Sequence, residues 1–180
     1  KLNNELLSRK DQYGQIIQIP ANAVLFEFKR RFVEYKRPWM PFEDINKLKD
    51  ILQKNNAHYI MAGMMAGNTG AGDKTYDHLQ NMLREIANDP VLRERVHYIT
   101  DYDEKLAKAM SIGSDISINV PEVGWEACGT SFMKDIANLN LLIATNDGGV
   151  ADVPMGGDEG HFDDTPIHLV HGDSYAAEVD

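Results

Sequence analysis

Between residues 23 and 145 short apolar runs alternate with stretches whose apolar side chains recur every three or four positions, and this alternation restricts the fold more than any other feature. Residues 23–28 form an apolar run of strand length, and residues 42–54 follow with Ile45, Leu48, Ile51 and Leu52 at helical spacing. Residues 58–65 read as the next strand. Residues 74–88 place Leu79, Met82, Leu83 and Ile86 on one side of a helix that Asn-Asp-Pro90 stops. The pattern continues with strands at 96–100, 116–120 and 141–145 and helices at 104–110 and 130–139. Strands separated by helices pair in parallel under helices on both faces, and ligands of such sheets gather at the carboxyl ends of the strands. The expected class is therefore α/β, a Rossmann-like parallel sheet.

Charge is distributed unevenly along the chain. Lys29, Arg30, Arg31, Lys36 and Arg37 crowd one short segment, although the 180 residues carry a formal net charge of −10. A solvated basic face, a nucleic-acid patch or an anion site would each account for the cluster. The acidic total argues against duplex or RNA binding as the main role, and favours phosphate or a phosphorylated cofactor. After Lys134 there is no Lys or Arg, so the last 46 residues carry the whole excess and read as a solvated acidic end, or as a surface that packs on another lobe. Asp158, Glu159, His161, Asp163 and Asp164 lie in that end without recognisable ligand spacing, and no metal is expected. The single cysteine, Cys128, permits neither an internal disulfide nor a cysteine-based metal site. No apolar run approaches membrane-spanning length and no secretory leader is evident, so no membrane partner and a cytoplasmic location are expected.

Two loops invite a phosphate. In Glu126-Ala-Cys-Gly-Thr-Ser-Phe-Met-Lys134, Gly129, Thr130 and Ser131 open a helical run. Free backbone N–H groups, hydroxyls and the positive dipole end would together seat a phosphate there, or Thr130 and Ser131 would simply cap the helix. Lys134 lies four residues after Thr130, on the same helical face, so a phosphorylated aldehyde such as pyridoxal 5'-phosphate would be held at both ends. The second loop, Gly67-Asn-Thr-Gly-Ala-Gly-Asp-Lys-Thr75, nearly spells the phosphate loop of nucleotide triphosphatases. Asp73 breaks its register and sets a negative charge beside the proposed phosphates.

These motifs resemble the α-glucan phosphorylases, the glycogen, starch and maltodextrin phosphorylase family. Arg30-Arg-Phe-Val-Glu-Tyr-Lys-Arg37 stands where the family has Lys-Arg-Ile-His-Glu-Tyr-Lys-Arg. Residues 126–134 stand for Glu-Ala-Ser-Gly-Thr-Gly-Asn-Met-Lys, residues 96–107 for its strand, Asn-Tyr turn and Leu-Ala helix, and residues 144–149 for its Thr-Met-Asp-Gly-Ala turn. The likeness covers roughly residues 10–153 and implies one lobe of a two-lobed GT-B architecture, with residues 1–180 as a single cofactor-binding lobe and 151–180 as its poorly matched end. Residues 1–7 read as a helix already under way and 175–180 as one just beginning, so the chain is expected to be a fragment that lacks an N-terminal lobe.

The implied activity is reversible phosphorolysis of an α-1,4-glucan to glucose 1-phosphate, with pyridoxal 5'-phosphate as cofactor. Lys134 would carry the cofactor, with Arg30, Tyr102, Gly129, Thr130 and Ser131 around it. Arg31, Lys36 and Glu126 would be the catalytic residues, Arg31 and Lys36 binding inorganic phosphate, while Glu126, Cys128 and Gly129 would meet the glucosyl hydroxyls or the phosphate and Tyr35 would bind substrate. The full-length enzyme would be a homodimer. Arg30 replaces the family's lysine, Val33 its histidine, Cys128 its serine and Ser131-Phe132 its Gly-Asn, which points to a divergent bacterial or archaeal branch. Asn68 likewise departs from the family's Gly-Lys-Ala loop. Two other classes stay open: a nucleotide-sugar glycosyltransferase lobe without the cofactor, and a non-catalytic interaction module.

Overall fold

The computed structural model describes residues 4–5, 8–65, 73–153 and 167–170. The readings made on residues 1–3 and 6–7, most of the glycine-rich loop, the acidic cluster at 158–164 and the end at 175–180 lie outside the described residues.

Among the described residues six strands form one parallel sheet: β1 (Val24–Phe28), β2 (Ala57–Ala62), β3 (Val96–Ile99), β4 (Ile116–Asn119), β5 (Leu141–Thr145) and β6 (Ile167–Val170). Their order is β3-β2-β1-β4-β5-β6. From β1 the chain builds outward on one side, then returns to the centre and builds outward on the other. The expected Rossmann-like α/β class is therefore the observed one.

Helices α1 (Ile45–Lys54), α2 (Lys74–Asn88), α3 (Pro90–Arg95), α4 (Glu104–Gly113) and α5 (Ser131–Ala137) connect the strands. Alternation along the strands assigns each helix a face. Phe28, Tyr59, Met61 and Val96 pack with Leu52 of α1, Met82 and Ile86 of α2 and Leu92 of α3. Leu25, Ile60, Ala62 and Ile99 point the other way, onto Leu106 and Met110 of α4 and the early residues Ile17 and Ile19. Phe132 of α5 packs with Leu142 and Ala144 of β5. All six residues of β2 are buried, as a strand covered on both faces requires.

Aspartate starts α1 to α4. Asp44, Asp73, Asp89 and Asp103 each accept a hydrogen bond from a first-turn backbone N–H of α1 to α4. Asp73, which spoils the nucleotide-loop motif, thus occupies the α2 N-terminus with its own carboxylate, accepting from Thr75 N at 2.9 Å and Tyr76 N at 3.3 Å. α5 differs, because Thr130 makes no side-chain cap.

Several boundaries differ from expectation. The second strand ends at Ala62, because the chain then leaves β1 and pairs with the loop beyond it through a Phe32–Met65 bridge. The first helix begins at Ile45, behind a short 3-10 turn at Met40–Phe42. The helix expected over 130–139 is Ser131–Ala137, closed by Asn138 and by Leu139 in the left-handed region at φ 67°. Asp89-Pro90, read as a stop, also starts α3, since proline fits a first helical position. α3 is too short to show periodicity. β6 was not anticipated.

Candidate functional site at the switch point of the sheet

The order of strands makes β1 and β4 the point where the connections diverge, and the loops that follow these two strands meet there. Apolar anchoring holds the first loop. Phe32 is wholly buried, with its ring edge-on to Phe28 at 5.6 Å and to Tyr98 at 5.3 Å, so the charged residues on either side of it stand at fixed positions. A close backbone approach holds it too, since a Cβ at Gly63 would lie 1.9 Å from the Arg30 carbonyl oxygen.

Hydrogen bonds then tie the two loops together. Arg37 donates from Nε to the Val120 carbonyl at 2.8 Å and from Nη2 to the Pro121 carbonyl at 3.3 Å. Glu122 N donates to the Tyr35 carbonyl at 2.6 Å. On the β5 side, Thr145 Oγ1 donates to the Pro121 carbonyl at 2.7 Å, and Asp147 Oδ2 accepts from Gly124 N and Glu126 N at 3.0 and 2.9 Å. Gly149 N donates to the Cys128 carbonyl at 2.8 Å.

Two groups of expected site residues come together on this frame. In the first, Lys36 Nζ donates to Glu126 Oε2 at 3.0 Å and stands 5.4 Å from the centre of the Tyr35 ring. Gly129 belongs to this group. Its φ of +65° suits glycine, and a Cβ there would come within 2.8 Å of Glu126 Oε1.

The second group lies between α4 and α5. A cavity of about 420 Å³ is lined there by Lys29, Tyr102, Ser111, Ser131 and Lys134, among others. The Tyr102 hydroxyl donates to the Lys29 carbonyl at 3.4 Å, and burial, with Glu27 adding, pushes the phenol above its usual range. Lys134 itself is exposed. Arg30 is buried and donates from Nη1 to Ser131 Oγ, while its Nη2 has no hydrogen-bond partner among the described residues. Arg31, Cys128 and Thr130 are exposed and join neither group.

Beneath these residues lies a buried charge network. Lys29 Nζ pairs with both Glu27 and Asp135, all three enclosed. Asp135 also accepts from Ser111 Oγ at 3.0 Å and Ser117 Oγ at 2.8 Å, and lies 3.9 Å from Arg30 Nη2. Burial raises the Glu27 carboxyl to about 7 against the opposing charge of Lys29. Two sequence readings change in consequence. Lys29, counted in the basic cluster, balances internal acids, and Arg37 braces backbone carbonyls. Asp135, counted with the acidic end, is interior. The missed signal is Glu27 and Lys29 two residues apart at the end of an apolar strand, where both side chains share one face.

The fold and these loops define a doubly wound α/β domain with a cluster of charged side chains at its topological switch point. The family model described as carbohydrate phosphorylase matches residues 4–160. A glycogen phosphorylase of Aquifex aeolicus is 33% identical over 130 residues, which is 72% of this chain and 18% of that protein. A maltodextrin phosphorylase of Thermococcus litoralis is 30% identical over 150 residues, 82% of this chain and 18% of the relative. An uncharacterized protein of Methanocaldococcus jannaschii is 32% identical over 138 residues, 77% of this chain and 25% of its own length. The chain belongs to the carbohydrate phosphorylase family, and it spans a quarter or less of the length of these relatives.

Proposed function

We propose that this chain is the cofactor-bearing lobe of a pyridoxal-phosphate-dependent α-glucan phosphorylase that cleaves α-1,4-glucan with inorganic phosphate to release glucose 1-phosphate. The observation that carries the reading is the cavity between α4 and α5, where Lys134, Tyr102 and Ser131 share one wall system with buried Arg30 beside it. The residues fit the cofactor. Arg30 Nη2 is a buried cationic donor that makes no hydrogen bond among the described residues and stands 3.9 Å from Asp135, and the uncapped first turn of α5 leaves backbone N–H groups for phosphate oxygens. Lys134 offers an exposed amine for the aldehyde end, and Tyr102 an aromatic wall for the ring.

When bound, the cofactor supplies a phosphate that exchanges a proton with the attacking inorganic phosphate. The chain's own residues prepare the site for two adjacent anions. Arg30 and Ser131 hold the cofactor phosphate, with Gly129 and Thr130 shaping the loop around it. Arg31 and Lys36 bind inorganic phosphate, the fork of Arg31 meeting two oxygens at once. Glu126 orients the Lys36 ammonium across the Tyr35 ring and, with Tyr35 and Cys128, receives glucosyl hydroxyls. Positive charge fixed in advance in an enclosed crevice stabilises charge that develops during the reaction. A second lobe would complete the active site.

Incubation of the full-length protein with pyridoxal 5'-phosphate, borohydride reduction and peptide mapping tests the reading. One stoichiometric adduct at Lys134, lost in Lys134→Ala, is expected. Scattered labelling, or none, would overturn it.

A further inference from the structure

We propose that Trp125, backed by Tyr35, is a stacking platform for a pyranose ring of the bound polysaccharide, a role that rests on the glucan reading above for the identity of the sugar. Trp125 is 66% exposed, so the core does not account for the indole. It is nevertheless held in place. Trp125 N donates to the Glu122 carbonyl at 3.2 Å, and the N–H groups on either side, of Gly124 and Glu126, both converge on Asp147 Oδ2. The indole and the Tyr35 ring are stacked, with centroids 6.4 Å apart and planes at 25°.

The surroundings select the occupant. A pyranose presents an apolar C–H face bounded by hydroxyls, and an indole face of negative quadrupole accepts the first while neighbouring charged groups bind the second. Glu126 is next in sequence, and Lys36, which pairs with it, leans over the Tyr35 ring. Protein interfaces bury their aromatic anchors in an apolar centre depleted of charge. Here the Lys36–Glu126 ion pair stands at the Tyr35 ring and Glu126 adjoins Trp125 in the chain, which favours a polyhydroxylated ligand over a protein partner.

The test measures maltoheptaose binding by calorimetry for the full-length protein, Trp125→Ala and Trp125→Phe, with melting temperature and Lys134 labelling recorded on the same preparations. Trp125→Ala should weaken binding about tenfold or more and Trp125→Phe by no more than about threefold. Lys134 labelling and melting temperature should stay unchanged in both. Equal affinity of the wild type and Trp125→Ala would overturn the platform, as would a wild type that does not bind maltoheptaose. A lowered melting temperature with unaltered affinity would overturn it too, since the indole would then pack against another part of the protein. Absence of label at Lys134 alongside Trp125-dependent maltoheptaose binding would sink the cofactor reading and leave the platform standing.

Discussion

At the scale of single residues, glycine decides how closely the basic loop after β1 approaches the sheet. A methyl group at Gly63 would overlap the Arg30 carbonyl oxygen, which belongs to backbone and has no rotamer to escape into. Gly63→Ala should therefore destabilise the protein by about 1–3 kcal/mol or more, read as a lower urea midpoint, because the clash forces a backbone shift. It should also weaken pyridoxal-phosphate labelling, since Arg30 moves with the loop. Phe32 acts on the same loop from the core side, and Phe32→Ala should cost about 3–5 kcal/mol in the same assay. Gly129 was legible in the sequence because it sits inside a motif of small residues. Gly63 was not, because its constraint comes from a carbonyl thirty-three positions away.

At the scale of elements, buried charge joins the strands to α4 and α5. Glu27, Lys29, Asp135, Ser111 and Ser117 contribute from β1, the residue after it, α5, α4 and β4. Removal of one partner leaves a charge enclosed without its counter-ion, so Lys29→Met should cost about 3–5 kcal/mol, measured by urea unfolding. A second buried pair sits on the same face. His58 Nδ1 and His97 Nε2 are 3.2 Å apart, and burial, with His58 adding, lowers His97 to about 4. His58 is lowered as well, by burial and then by Arg95. At His97 the unfolded chain binds more protons than the folded one between about 4 and the ordinary histidine value of 6.5. Stability from His97 is thus complete above about pH 6.5 and is lost as pH falls toward about 4, by roughly 3 kcal/mol. Glu27 works in the opposite sense, since its raised carboxyl loses stability as pH rises through about 7. Urea midpoints of the wild type and His97→Phe across pH 4–7 separate the two, and the acid slope should flatten in the variant.

At the scale of the whole molecule, the parallel sheet ranks the cost of opening. β2 is enclosed along its full length and paired on both sides, whereas seven-residue α5 starts without a side-chain cap. Native-state hydrogen exchange should find the slowest amides in β2, exchanging through global unfolding, and much faster exchange in the first turn of α5. The sequence by itself determined the class of fold, because apolar periods of two and three to four residues record which faces are buried wherever the chain goes. It also determined the family, through short motifs whose order along the chain is itself information. Only the tertiary structure decided which charges are available to a ligand. Arg30, Lys36 and Arg37 are equivalent in a linear reading, yet one is buried against α5, one pairs with Glu126 and one braces the carbonyls of Val120 and Pro121. A side chain's burial and partners are set by contacts between segments about a hundred residues apart, and those contacts leave no period in the sequence.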